Sequence, residues 1–137
     1  MAQDLDTNAL ARVLSQLSGD LVLVIDADGL IQSVATGQET PALASGWEGR
    51  PWADTVTAET RPKVGKMLRE LALTGHARRR ELNHPVAGSA PIAFAYHAVR
   101  LGHGELALAM GRDLSPQAAL QQRLLLAQRE VEASRWS

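Results

Sequence analysis

Leu21-Val22-Leu23-Val24-Ile25 is apolar at every position. Alternate side chains of a strand point to opposite faces, so a strand of this composition has to be covered on both. Ala27-Asp28-Gly29 follows, a tight-turn sequence in which Gly29 supplies a positive φ, and Leu30 to Ala35 returns as a second strand. Asp26 and Asp28 beside that glycine read as turn chemistry rather than as a catalytic carboxylate pair. Any fold that holds this hairpin must place material on both sides of its sheet.

The preceding residues offer one cover. Residues 6–18 have the pattern of an amphipathic helix, with Leu10, Val13, Leu14 and Leu17 on one face, Asp6 or Thr7 as the cap and Gly19 as the stop. That face fits the outer side of the sheet, and a partner subunit could use it instead or as well. Residues 36–56 are broken by Gly37, Pro41, Gly46, Gly49 and Pro51, with a helical turn expected over Ala42 to Ser45. Trp47 and Trp52 fall in this irregular stretch. They either cap the open end of the core or form a rim for a ligand or partner.

A longer helix comes next, capped by Thr57 or Thr60 with Pro62 in its first turn. Val64, Met67, Leu68 and Leu71 form its buried stripe and Gly75 ends it. His76 to His84 is polar on both alternations, which places it at a sheet edge or under something outside the domain. Pro85 to Pro91 reads as a loop. Ile92 to Leu101 and Glu105 to Arg112 read as two more strands around the turn Gly102-His103-Gly104. The expected fold is α+β: a five-stranded antiparallel sheet with helices on one face.

Ser115 to Ser137 is a helix-forming run, with Ser115 as cap and Pro116 in the first helical position. Leu120, Leu124, Ala127 and Val131 alternate by four, three and four, the spacing of a coiled-coil seam. Such a stripe wants a partner helix. The expected organisation is therefore an N-terminal helix over 1–19, a domain over 20–113 and the start of a linker helix over 114–137.

Composition excludes several functions. The 137 residues are 45% apolar and 21% charged, enough for one packed domain and too apolar for disorder. A net charge of −1 gives no electrostatic case for nucleic-acid or anionic-membrane binding by this chain. Arg78-Arg79-Arg80 alternates in direction and is followed by Glu81, so it reads as a solvated or interface strand. With no cysteine there is no disulfide, thiolate metal site or thiol catalysis. The N-terminus lacks the pattern of a signal peptide, and no apolar run spans a bilayer, so the expected location is cytoplasmic. His76, His84, His97 and His103 show no metal-ligand spacing, and no nucleophile–base, phosphate-loop or zinc-helix motif occurs. The alanines at 93, 95, 98, 107 and 109 either line a small cavity or permit close packing; close packing is the expectation.

The order of elements is that of a PAS domain. Gly49-Arg50-Pro51-Trp52-Ala53-Asp54-Thr55-Val56-Thr57, Arg61-Pro62-Lys63, Asn83-His84-Pro85 and Gly111-Arg112-Asp113-Leu114 resemble the N-terminal PAS domain of the PpsR/CrtJ family, repressors of photosynthesis genes in purple bacteria. Ala119-Leu120-Gln121-Gln122-Arg123-Leu124 resembles that family's glutamine-rich linker helix. The resemblance runs from Leu21 to Gln128, whereas Val131 to Ser137 departs from it. It implies a non-enzymatic sensor and dimerisation module without a cofactor, whose signal passes through the linker helix to DNA-binding domains not contained in these residues. The implied partner is a second copy, as a homodimer or higher homo-oligomer, with a regulatory protein as a further option. The expected interface is Leu120, Leu124, Ala127 and Val131, and a second one is Leu10, Val13, Leu14 and Leu17. The alternative is a small-molecule sensor. Were that ligand haem, His76, just past Gly75, would be its histidine. The helix is expected to dock near Leu120 and Leu124 and to fray or pack differently toward Trp136.

Overall fold

The computed structural model describes residues 2–18, 20–36, 42–102 and 104–136, and within them the side chains of 7–18, 20–36, 43–102 and 104–133. Gly19, Gly37, Pro41 and His103, to which the sequence assigns turns and breaks, lie outside the described residues. The elements are α1 (Ala2–Ser18), β1 (Leu21–Ile25), β2 (Ile31–Ala35), α2 (Arg61–Thr74), β3 (His76–Val86), β4 (Ser89–Arg100), β5 (Ala107–Asp113) and α3 (Ser115–Trp136). Single 3-10 turns form at Ala42–Ala44 and Trp52–Thr55. The five strands make one antiparallel sheet in the order β2-β1-β5-β4-β3, which is the expected fold.

The opening hairpin forms as its sequence dictates. Every residue of β1 is buried. Asp26 Oδ1 accepts from the Asp28 and Leu30 amides at 2.9 and 3.0 Å, and Gly29 takes φ 84°. Leu21, Leu23 and Ile25 face the main core with α2, while Val22 and Val24 face the other side.

That other side is covered by α1, but not as the periodicity predicts. The helix starts four residues earlier than expected, so Asp6 and Thr7 lie inside it rather than at its cap. Its buried stripe is Ala11 and Ser15, 1% and 0% exposed, with Leu14 partly buried beside them. Leu10, Val13 and Leu17 remain exposed. Small side chains let the helix axis come close over Val22, Val24, Ala35 and Leu108, and a leucine at position 11 or 15 would hold it off. The Ser15 hydroxyl is satisfied within the helix, donating to the Arg12 carbonyl at 2.9 Å.

The second half also departs from expectation in one place. Pro85 and Pro91 do not bound a loop; β3 and β4 form one long hairpin that turns at Gly88, φ 76°. Pro85 is tolerated because the ladder slips between His84 and Val86 and β3 is the edge strand; Pro91 lies opposite that slip and before β4 begins to pair with β5 at Phe94. A second slip follows Ala77, after which Arg80 reaches α2 and forms a two-pronged bond with Glu70 at 2.7 and 2.8 Å. The arginine run is thus partly a clamp between β3 and α2. The Arg80 guanidinium, helped by the Arg78 amide, holds the Glu70 carboxyl at about 2.

Candidate functional site

In a sheet-and-helix fold of this kind the natural place for a ligand is the interior between the sheet and its helices. Here that space is filled by rings. Trp52 and Tyr96 are completely buried and Trp47 is 4% exposed, so the tryptophans fill the interior instead of rimming it. Trp52 meets Tyr96 edge-on at 5.4 Å, and Phe94 stacks on Tyr96 at 6.0 Å.

His84 sits among them, fully buried. Its Nδ1 lies 2.6 Å from the Thr55 carbonyl and its Nε2 lies 2.7 Å from the Tyr96 hydroxyl. A carbonyl only accepts, so Nδ1 carries the proton and Nε2 accepts from Tyr96. Trp47 lies over the ring at 4.6 Å and Phe94 meets it edge-on at 5.2 Å. Burial pushes the imidazole below its ordinary value, opposed by the Thr55 carbonyl, and pushes the Tyr96 phenol well up. Both ring nitrogens are therefore engaged, and the geometry ties β3, β4 and the Trp52–Thr55 turn together. Sequence reasoning met His84 as one of four histidines and within the Asn83-His84-Pro85 motif, but gave it no structural role. The signal that could have singled it out is its place two residues after Leu82, on the buried alternation of β3.

The other histidines are not gathered with it. His76 and His97 are exposed, and His103 is outside the described residues. As a haem ligand His76 is badly placed, because it stands at the exposed start of the edge strand. No group of three His, Cys, Asp or Glu residues fit to hold a metal occurs among the described residues.

A separate cavity of about 390 Å³ opens at one end of the sheet, below the turn after β1 and beside the end of α2. Leu68, Leu71, Ala72 and Ala107 give it an apolar wall, and Asp26, Arg100 and Glu105 stand around it. The close-packed alanines expected from sequence thus do both jobs: Ala98 and Ala109 pack, and Ala107 also lines a space.

The predicted interface residues lie on two different surfaces. Leu120, Leu124 and Val131 are 57, 61 and 56% exposed, and Ala127 is exposed between them. Every described side chain of α3 is exposed, and the helix runs unbroken to Trp136 rather than fraying before it. Its start is tied down by the Asp113 carboxylate, which accepts from the Ser115 amide at 2.8 Å. On α1, Leu10, Val13 and Leu17 face solvent, while Leu14 is drawn into the packing against the sheet.

This strand order, with its helices and its ring-filled interior, is the PAS fold. Among solved structures, a PAS domain of an HTR-like protein from Haloarcula marismortui matches at TM-score 0.55, with 22% identity, over 82% of this chain and 95% of that one. A domain of a sensory box sensor histidine kinase/response regulator from Geobacter sulfurreducens matches at TM-score 0.56, with 18% identity, over 79% and 94%. No family model matches the sequence. By sequence, the chain is similar to protein CrtJ of Rhodobacter capsulatus, 28% identical over 140 positions that cover 93% of this chain. The chain spans about 30% of the length of that relative. The similarity agrees with the family resemblance carried by the motifs around Trp52, His84 and Arg112. Among the described residues no helix is long and apolar enough to cross a membrane.

Proposed function

We propose that this chain is a non-catalytic, cytoplasmic sensing and dimerisation module of a CrtJ-like repressor of photosynthesis genes. In this reading an N-terminal segment over 1–19 that contains α1 flanks a PAS domain over 20–113, and the segment over 114–137 that contains α3 is the linker. Two copies pair along Leu120, Leu124, Ala127 and Val131, and the Leu10, Val13 and Leu17 stripe of α1 offers a second contact. A signal, or a regulatory protein bound to the domain, changes how the linker helices pack. That change repositions parts of the regulator that touch DNA and lie outside these residues. The observation that supports the reading is the exposure of α3: it carries five apolar side chains more than half exposed, at 120, 124, 125, 126 and 131. Apolar surface of that extent along one helix is removed from water by a partner helix.

Light scattering on the purified chain and on Leu124→Asp tests the pairing. The parent is expected at twice the chain mass or more and the variant at the mass of one chain. A monomeric parent overturns the reading; a variant that stays dimeric moves the seam to α1, where Leu17→Asp is the corresponding change. A second reading, a small-molecule sensor, is favoured by one observation, the cavity beside Arg100.

A further inference from the structure

The cavity beside Arg100 has a lopsided chemistry. Its wall from α2 and β5 is apolar, formed by Leu68, Leu71, Ala72 and Ala107. Among the described residues its one cation is Arg100, and only one prong of that guanidinium is committed. Nη1 donates to the Leu71 and Ala72 carbonyls at the end of α2, at 3.3 and 3.5 Å. The Nε–Nη2 edge lies over Gly75 and has no acceptor among the described residues. An arginine edge of this kind offers two parallel donors, the match for a carboxylate.

The anions around the cavity narrow the ligand further. Both Asp26 oxygens are already used, Oδ1 by two backbone amides and Oδ2 by the Gln32 amide at 3.0 Å. Three of the acceptor sites of Asp26 are thus taken within the chain, which leaves it little capacity for a ligand's ammonium group. Together with exposed Glu105 it repels a second negative charge. The volume of about 390 Å³ is at the lower end of the range for small-molecule sites, which run from about 300 to 1,000 Å³. The interior between the sheet and its helices is filled by Trp47, Trp52, His84 and Tyr96, and the cavity at this end of the sheet lies apart from them.

We propose that this cavity binds a small monocarboxylate with an apolar tail, its carboxylate on the free edge of Arg100 and its tail against Leu68, Leu71 and Ala107. The site lies where α2, the β1–β2 turn and the strands β4 and β5 meet, so occupation would couple these elements. This deepens the small-molecule reading above, and its failure leaves pairing through α3 untouched, because light scattering reads that separately.

The test is a titration of the full, isotope-labelled chain with octanoate, followed by amide resonances, with octylammonium as the control of opposite charge. Octanoate is expected to shift the amides of Leu68, Ala72, Arg100 and Ala107 saturably, and octylammonium is not. Ala72 is an exposed helical position, so Ala72→Glu keeps the fold while setting a negative charge on the wall; binding should weaken about tenfold or more, while Ala72→Gln binds as the parent does. Arg100→Gln should lose binding likewise. No saturable shift with octanoate, equal shifts with octylammonium, or undiminished binding by Ala72→Glu overturns the proposal. So do shifts confined to Leu120 through Val131, which would mark adsorption to the exposed helix.

Discussion

His84 and Gly111 show how tightly the interior is specified. The neutral His84 ring uses both nitrogens, and the groups facing it from the surrounding elements, Thr55, Trp47, Phe94 and Tyr96, carry no charge at ordinary pH. Its folded pKa is lowered, whereas in an unfolded chain the ring takes up a proton near pH 6.5. The unfolded state thus binds more protons below that point, so stability is held above about pH 6.5 and lost as pH falls toward the depressed folded value. The urea midpoint should drop between pH 7.5 and 5.5, and His84→Phe should flatten the drop; an equal slope in both proteins would sink the assignment. Tyr96→Phe leaves Nε2 as a buried acceptor without a donor and should cost about 1–3 kcal/mol in chemical unfolding. At Gly111 the constraint is space: a Cβ would overlap the ring carbons of Tyr96. Gly111→Ala should therefore cost about 1–3 kcal/mol, and the double change with Tyr96→Phe should not relieve it, because the clash is with ring carbons.

Among the elements, the hairpin of β1 and β2 was legible because everything that decides it is local: the apolar run, Asp26 and Gly29. So was α2, from Thr60 through Gly75, whose amide bonds the Leu71 carbonyl at 2.9 Å. The inward face of α1 was not legible. Periodicity ranks leucine over alanine, whereas the sheet selects the small residues that permit close approach, and that distance is a property of two elements together. Ala11→Leu should destabilise the domain by about 1–3 kcal/mol through overpacking, whereas Leu17→Lys should leave the urea midpoint within about 0.5 kcal/mol of the parent. A reversed order of these two effects would mean that α1 packs through its leucines after all. The β3–β4 hairpin was missed for a related reason. Pro85 and Pro91 read as breaks, and only a neighbouring strand shows that both fall where the ladder is already irregular.

For the molecule as a whole, the order of elements pointed to the right fold, but the ring-lined interior did not show in the sequence. Thr55, His84 and Tyr96 are separated by 29 and 12 positions, and no spacing rule joins them. The arrangement of the ends was equally hidden. In the pairing of β1 with β5, Leu21 lies opposite Gly111, so the residues that follow α1 and those that precede α3 leave the sheet side by side, held by Arg112 to Asp20 at 3.1 Å. The third of the five strands, β5, is the one that carries α3. Adjacent antiparallel strands whose outer ends meet respond to tension as a zipper does. A pull between the two helices loads the hydrogen bonds of β1 and β5 one after another from Leu21 onward, rather than all at once. Drawn by its two ends, the domain would part at low force.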